Sequence, residues 1–131
     1  MDRKRNANIN RKLYEVDIMR ANFKMENQNI TMVKGDTLSF AIICKDQYDE
    51  RIEFDTAYFT CKKNPSDEWN LFRKSLGDGI SLVDEHYVVR IPPEDTKYAE
   101  PGRYYYDLEV GVDDDIFTIM KGILEIEQDI S

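Results

Sequence analysis

Few side chains in this sequence combine the types and spacing that chemistry requires. The single histidine, His86, opens an alternating run to Ile91 in which Tyr87, Val89 and Ile91 share one face and His86 takes the other. A nucleophile and base would need that imidazole beside a Ser or Cys. The two cysteines, Cys44 and Cys61, instead fall in phase with Phe40, Ile42 and Phe59, at inward strand positions. They read as small buried thiols in a reducing compartment, with a disulfide between them as the other option. Without further His or Cys nearby, no zinc site is read.

Carboxylate pairs carry no information among 26 acidic residues, because a chain so acidic offers countless pairs. Asp113-Asp114-Asp115 clusters oxygens of the kind calcium takes, but it lacks the spaced ligands and bidentate glutamate of a dedicated loop and reads as a solvated hairpin tip. Gly77 and Gly79 precede neither a helix nor a Lys-Ser/Thr pair, so they form no phosphate loop. The expectation is a non-enzymatic chain, with no catalytic residue, cofactor or metal. Asn29-Ile30-Thr31 matches a glycosylation sequon, which has meaning only in an exported chain.

The aromatic residues offer binding rather than catalysis. Tyr58, Trp69, Phe72 and Tyr105 are candidates for an outward face that stacks on sugars or fills a protein interface. A domain this small cannot bury all fifteen aromatics, so an exposed patch is expected, and protein interfaces are its commonest use.

The elements that must position these residues are short strands separated by turns. Leu38, Phe40, Ile42 and Cys44 alternate after the Lys34-Gly35-Asp36 turn, while Asn29 to Val33, with Phe23 to Met25 before it, makes a first strand broken by polar residues. Ala57 to Lys63 follows with Ala57, Phe59 and Cys61 inward, then a shorter strand from Trp69 to Lys74 and a hairpin signal at Gly77-Asp78-Gly79. Two prolines, Pro92 and Pro93, stop the Glu85 to Ile91 strand. Pro101-Gly102 then launches a strand with Tyr104, Tyr106, Leu108 and Val110 on one face and Arg103, Asp107 and Glu109 on the other. The turn 111–115 leads into a last strand, Ile116 to Ile126, where Gly122 marks a bulge or a close backbone approach. This spacing predicts an all-β fold: one immunoglobulin-like antiparallel β-sandwich of about 7–8 strands with a short N-terminal arm. The division is a basic arm over residues 1–24 and a sandwich over 25–131.

At 131 residues the chain suits one domain with a sizeable core. Charge is unevenly spread, with seven Lys/Arg against three Asp/Glu in residues 1–24, and eleven basic against 23 acidic residues in the remainder. The acidic body repels phosphate, which argues against nucleic-acid binding by the folded domain. The arm can touch a phosphate backbone or dock on an acidic neighbouring subunit. Lys4, Arg5, Arg11 and Lys12 are its candidate partner-binding residues, with Trp69 the candidate on the body. The charged N-terminus carries no export signal, and the longest apolar run, Phe40 to Cys44, is too short to span a bilayer. The expectation is a soluble protein made in a cytoplasm, with no membrane partner.

Four segments carry a resemblance: Lys34-Gly35-Asp36-Thr37-Leu38-Ser39-Phe40, Tyr87-Val88-Val89-Arg90-Ile91-Pro92-Pro93-Glu94-Asp95-Thr96, Gly102-Arg103-Tyr104-Tyr105-Tyr106-Asp107-Leu108 and Thr118-Ile119-Met120-Lys121-Gly122-Ile123-Leu124. Together they resemble small phage and prophage virion proteins with immunoglobulin-like β-sandwich domains, akin to the N-terminal domain of upper baseplate proteins. Antibody-type domains fit less well, because the Tyr-rich strand lacks their cysteine. The resemblance implies a non-enzymatic structural subunit of a baseplate, tail, neck or head accessory. Such a subunit would bind other virion subunits or copies of itself, in the virion or the cytoplasm of the bacterial host. A carbohydrate- or surface-binding sandwich module, with Trp69, Tyr58 and nearby acids as its platform, is the alternative.

Overall fold

The computed structural model describes residues 12–17, 28–46 and 48–130. Among the described residues nine strands form: β1 (Lys12–Asp17), β2 (Ile30–Val33), β3 (Leu38–Lys45), β4 (Thr56–Lys62), β5 (Phe72–Leu76), β6 (Gly79–Val83), β7 (His86–Ile91), β8 (Gly102–Val112) and β9 (Asp115–Glu127). A 3-10 turn, Pro93–Asp95, lies in the connection from β7 to β8. The hydrogen-bonded order is β1-β3-β7-β6-β5-β4-β8-β9-β2. This ribbon folds over so that β1-β3-β7-β6 faces β5-β4-β8-β9-β2. Phe40 of β3 meets Phe59 of β4 edge-on at 5.6 Å, although the two strands are not neighbours in the sheet. The chain is therefore an immunoglobulin-like β-sandwich.

The core forms because inward positions of both layers alternate apolar residues. Phe59 is its centre, with ring contacts to Phe40, Phe72 and Tyr106. In antibody domains a strand-C Trp packs on a disulfide joining the layers; here Phe59 packs between Phe40 and Tyr106, and the layers hold by aromatic packing. Tyr104 keeps the accompanying tyrosine corner, donating its hydroxyl to the Glu100 carbonyl oxygen at 2.8 Å. The diproline crossover docks on the turn before β3, where the Gly35 N–H donates to the hydroxyl of fully buried Thr96 at 3.0 Å. Lys74 of β5 and Asp95 of the 3-10 turn form an ion pair at 2.5 Å that ties the layers at the same end.

Several expectations need correction. The sandwich of about 7–8 strands gains an edge strand among the described residues, because Lys12–Asp17, assigned to the arm, pairs in parallel with β3. The segment Phe23 to Met25 lies outside the described residues. The Trp69 to Lys74 strand starts three residues later, at Phe72. Gly77-Asp78-Gly79 makes no antiparallel hairpin: Gly77 (φ 87°) and Gly79 (φ 102°) turn the chain tightly, and β5 and β6 touch only over two parallel pairs, where the ribbon passes between layers. Ala41 and Ile43 are buried as well as Phe40 and Ile42, so β3 is covered on both faces and reads as a continuous apolar run. The β8–β9 hairpin turns at Asp113 (φ 50°) and Asp114 (φ 72°), the left-handed pair of a two-residue turn. Its bulge lies at Ile119, opposite Leu108 and Glu109, rather than at Gly122. Gly122 marks the close approach instead, for a Cβ there would lie 2.7 Å from the Gln28 carbonyl oxygen.

Candidate functional site

The outward face of β5, β4, β8 and β9 carries a trough of about 880 Å³. Strand register builds its floor. Arg73, Thr60, Asp107 and Lys121 lie opposite one another in a row across the four strands, and Lys62, Tyr105 and Ile123 form the next row. Tyr58 and Glu109 pair in a third row on the far side of Asp107.

Both walls are built rather than incidental. On one side the loop after β4 is closed by reciprocal Asn64–Asp67 hydrogen bonds, and the Lys62 ammonium donates to the Asp67 carbonyl oxygen at 2.8 Å. This presents Pro65, Glu68 and Asn70 to the trough. On the other side Gln28 and Asn29 lie against Gly122, which has no Cβ to push them away. Asn29 Oδ1 accepts the Ile123 N–H at 3.0 Å, and the Tyr106 hydroxyl donates to the Gln28 carbonyl oxygen.

The electrostatics are mixed. Asp107 is exposed, but partial desolvation by the neighbouring strands raises its carboxyl above the usual carboxylate range and Glu109 adds to the rise, while Lys62, Arg73 and Lys121 oppose it. Arg73 is partly committed, since its guanidinium stacks on the Tyr58 ring at 4.3 Å. The arrangement can accept hydrogen bonds from a polar ligand and offer a ring to stack on.

Sequence-derived candidates fall in different places. Tyr58 and Tyr105 both line the trough. Trp69 is 83% exposed on the wall loop, between the lining residues Glu68 and Asn70 but not lining the trough itself. Phe72 is corrected to a core residue, buried against Phe59. Lys12 sits in β1 at the sheet edge opposite Phe40, while Lys4, Arg5 and Arg11 lie outside the described residues. His86 is half-buried at the start of β7. Cys44 and Cys61 are free and buried, and burial pushes both thiols up to about 12, which keeps them protonated and poor nucleophiles. Sequence reasoning missed Arg73, Lys62 and Lys121 as neighbours of Asp107. The outward phase of Asp107 was visible, but only the register between strands brings the three cations to it.

No protein-family model and no curated protein matches the chain. Among solved structures, the N-terminal domain of phage TP901-1 ORF48 is similar with a TM-score of 0.45 and 11% identity, covering 88% of this chain and 98% of that one. Murine CRIg is similar with a TM-score of 0.39 and 9% identity, covering 78% and 92% respectively.

Proposed function

We propose that this chain is a non-enzymatic structural subunit of a phage or prophage particle, working through protein–protein contacts in the virion after assembly in the bacterial cytoplasm. The observation that carries the reading is the outer edge of β9. Strand β2 covers only Leu124 to Glu127, and Asn29 covers Ile123, so residues 115–121 have no strand on that side among the described residues. A long open edge is a template for strand addition by a neighbour. The resemblance seen in the sequence supports the same reading, and two of its four segments meet in space at the Gly35–Thr96 hydrogen bond. The basic arm complements the acidic body of an adjacent copy.

Absolute mass by light scattering, over a concentration series at low and moderate salt, tests this. A closed oligomer of defined size is expected; a strict monomer at every concentration would count against self-assembly. A second reading, a carbohydrate- or surface-binding module, is favoured by the trough on the outer face.

A further inference from the structure

We propose that the trough across β5, β4, β8 and β9 is a binding site for a neutral oligosaccharide. Its volume of about 880 Å³ matches small-ligand sites.

The floor presents two carboxylates as acceptors, Asp107 and Glu109. Among the described residues, the Asp107 and Glu109 carboxylates take part in no hydrogen bond or ion pair within contact distance. Two of the three nearby cations are already engaged, Arg73 on the Tyr58 ring and Lys62 on the Asp67 carbonyl oxygen. A ligand that supplies donors satisfies both carboxylates. Sugar hydroxyls do so, and their bonds to carboxylates are charge-assisted. Tyr105, half-buried in the row between Lys62 and Ile123, offers a ring against which the apolar face of a pyranose stacks.

Charge decides between ligand classes. Lys62, Arg73 and Lys121 balance Glu68, Asp107 and Glu109 along the lining, so the trough has no net charge to attract a polyanion or a polycation. An acidic glycan would set its carboxylates against Asp107 and Glu109 with, among the described residues lining the trough, only the Lys121 ammonium uncommitted. A basic peptide would meet the three cations.

The test uses the full chain on an array of neutral and acidic glycans, followed by NMR titration with neutral hexose and N-acetylhexosamine oligosaccharides. Asp107→Ala, Tyr105→Ala and Trp69→Ala are compared after thermal melts show that each is folded. The expected result is binding of neutral glycans, with amide shifts clustered on residues 58–62 and 105–109. Asp107→Ala and Tyr105→Ala should each weaken it about tenfold or more, the loss of a charge-assisted bond or a stacked ring, and Trp69→Ala should leave it unchanged. No glycan binding, preference for acidic glycans, binding lost only with Trp69, or capture of a Lys/Arg-rich peptide on the same amides would each overturn the proposal. Particle mass is a separate readout, so failure here is distinguishable from failure of the subunit reading.

Discussion

The Tyr87 hydroxyl accepts the Phe54 backbone N–H at 2.8 Å while the two rings stack at 4.3 Å, so one side chain both fills the core and satisfies a buried backbone group. Tyr87→Phe keeps the stacking and leaves that N–H without a partner, which costs about 1–3 kcal/mol. Tyr104→Phe removes the corner bond to Glu100, but the freed carbonyl belongs to an exposed residue that water reaches, and the expected loss is about 1 kcal/mol. Urea unfolding of both variants should therefore rank Tyr87→Phe as the more damaging. Equal midpoints would contradict the assignment of Phe54 N–H to Tyr87.

Gly122→Ala introduces a methyl group 2.7 Å from a backbone oxygen, and neither Gln28 nor β9 can yield without breaking the wall of the trough. Overpacking of this kind costs about 1–3 kcal/mol. Amide hydrogen exchange should show lost protection at Ile123, whose N–H depends on Asn29. Gly35→Ala is the contrasting control: its Cβ would meet nothing, so any loss there comes from the backbone at φ 83° alone.

The buried thiols give a chemical prediction with a definite sign. Both rise from an ordinary 9.0 to about 12 because burial disfavours the thiolate. In the folded protein neither should react with iodoacetamide at pH 8, and mass spectrometry should find two adducts only after denaturation. The folded state holds these protons more tightly than the unfolded one. The stability they contribute is thus fully present below pH 9 and falls as pH rises from 9 toward 12. Replacing both cysteines with Ala should flatten that alkaline decline.

What the sequence showed and what it hid follow from the range of the interactions involved. Inward residues of β8 and β4 were legible because alternation is local, and so were the Asp113-Asp114 turn and the buried thiols. The parallel pairing of β1 with β3 was hidden, because Lys12–Asp17 pairs with a segment 28 residues further along the chain. The passage from β5 to β6 was misread because two glycines serve a sheet-switching turn as readily as a hairpin. Gly122 carried the right warning with two meanings, and the three-residue offset to the bulge at Ile119 depends on the register with β8. The trough was legible only in its aromatics; a row such as Arg73, Thr60, Asp107 and Lys121 exists only once register is fixed.

Asp107 should leave a mark on the acid limb of stability. Its folded carboxyl titrates above the ordinary value of about 4. Between those two values the folded state binds more protons, so stability falls as pH rises through that window. Asp107→Asn has no such titration. Thermal melts at several pH values from 3 to 7 should show the unsubstituted protein losing ground to the variant as pH rises above about 4. A constant difference across the range would mean that the carboxyl is not perturbed.

Assembly through the β9 edge and through the arm can be separated. Ile123 turns its N–H to Asn29 on the outer side, and alternation by two places the Lys121 N–H on that same side, away from β8. Lys121→Pro therefore removes an edge donor while sparing the β8–β9 ladder, and it should abolish strand addition with the monomer still folded. Reversing charge at Lys4, Arg5 and Arg11 should instead leave the edge intact and weaken only the electrostatic part of association. Light scattering should then find that added salt dissociates the unsubstituted protein but no longer affects the charge-reversed variant, because screening acts on the pairs already removed. Salt independence of both proteins would eliminate the arm as a contact and leave the β9 edge to carry assembly alone.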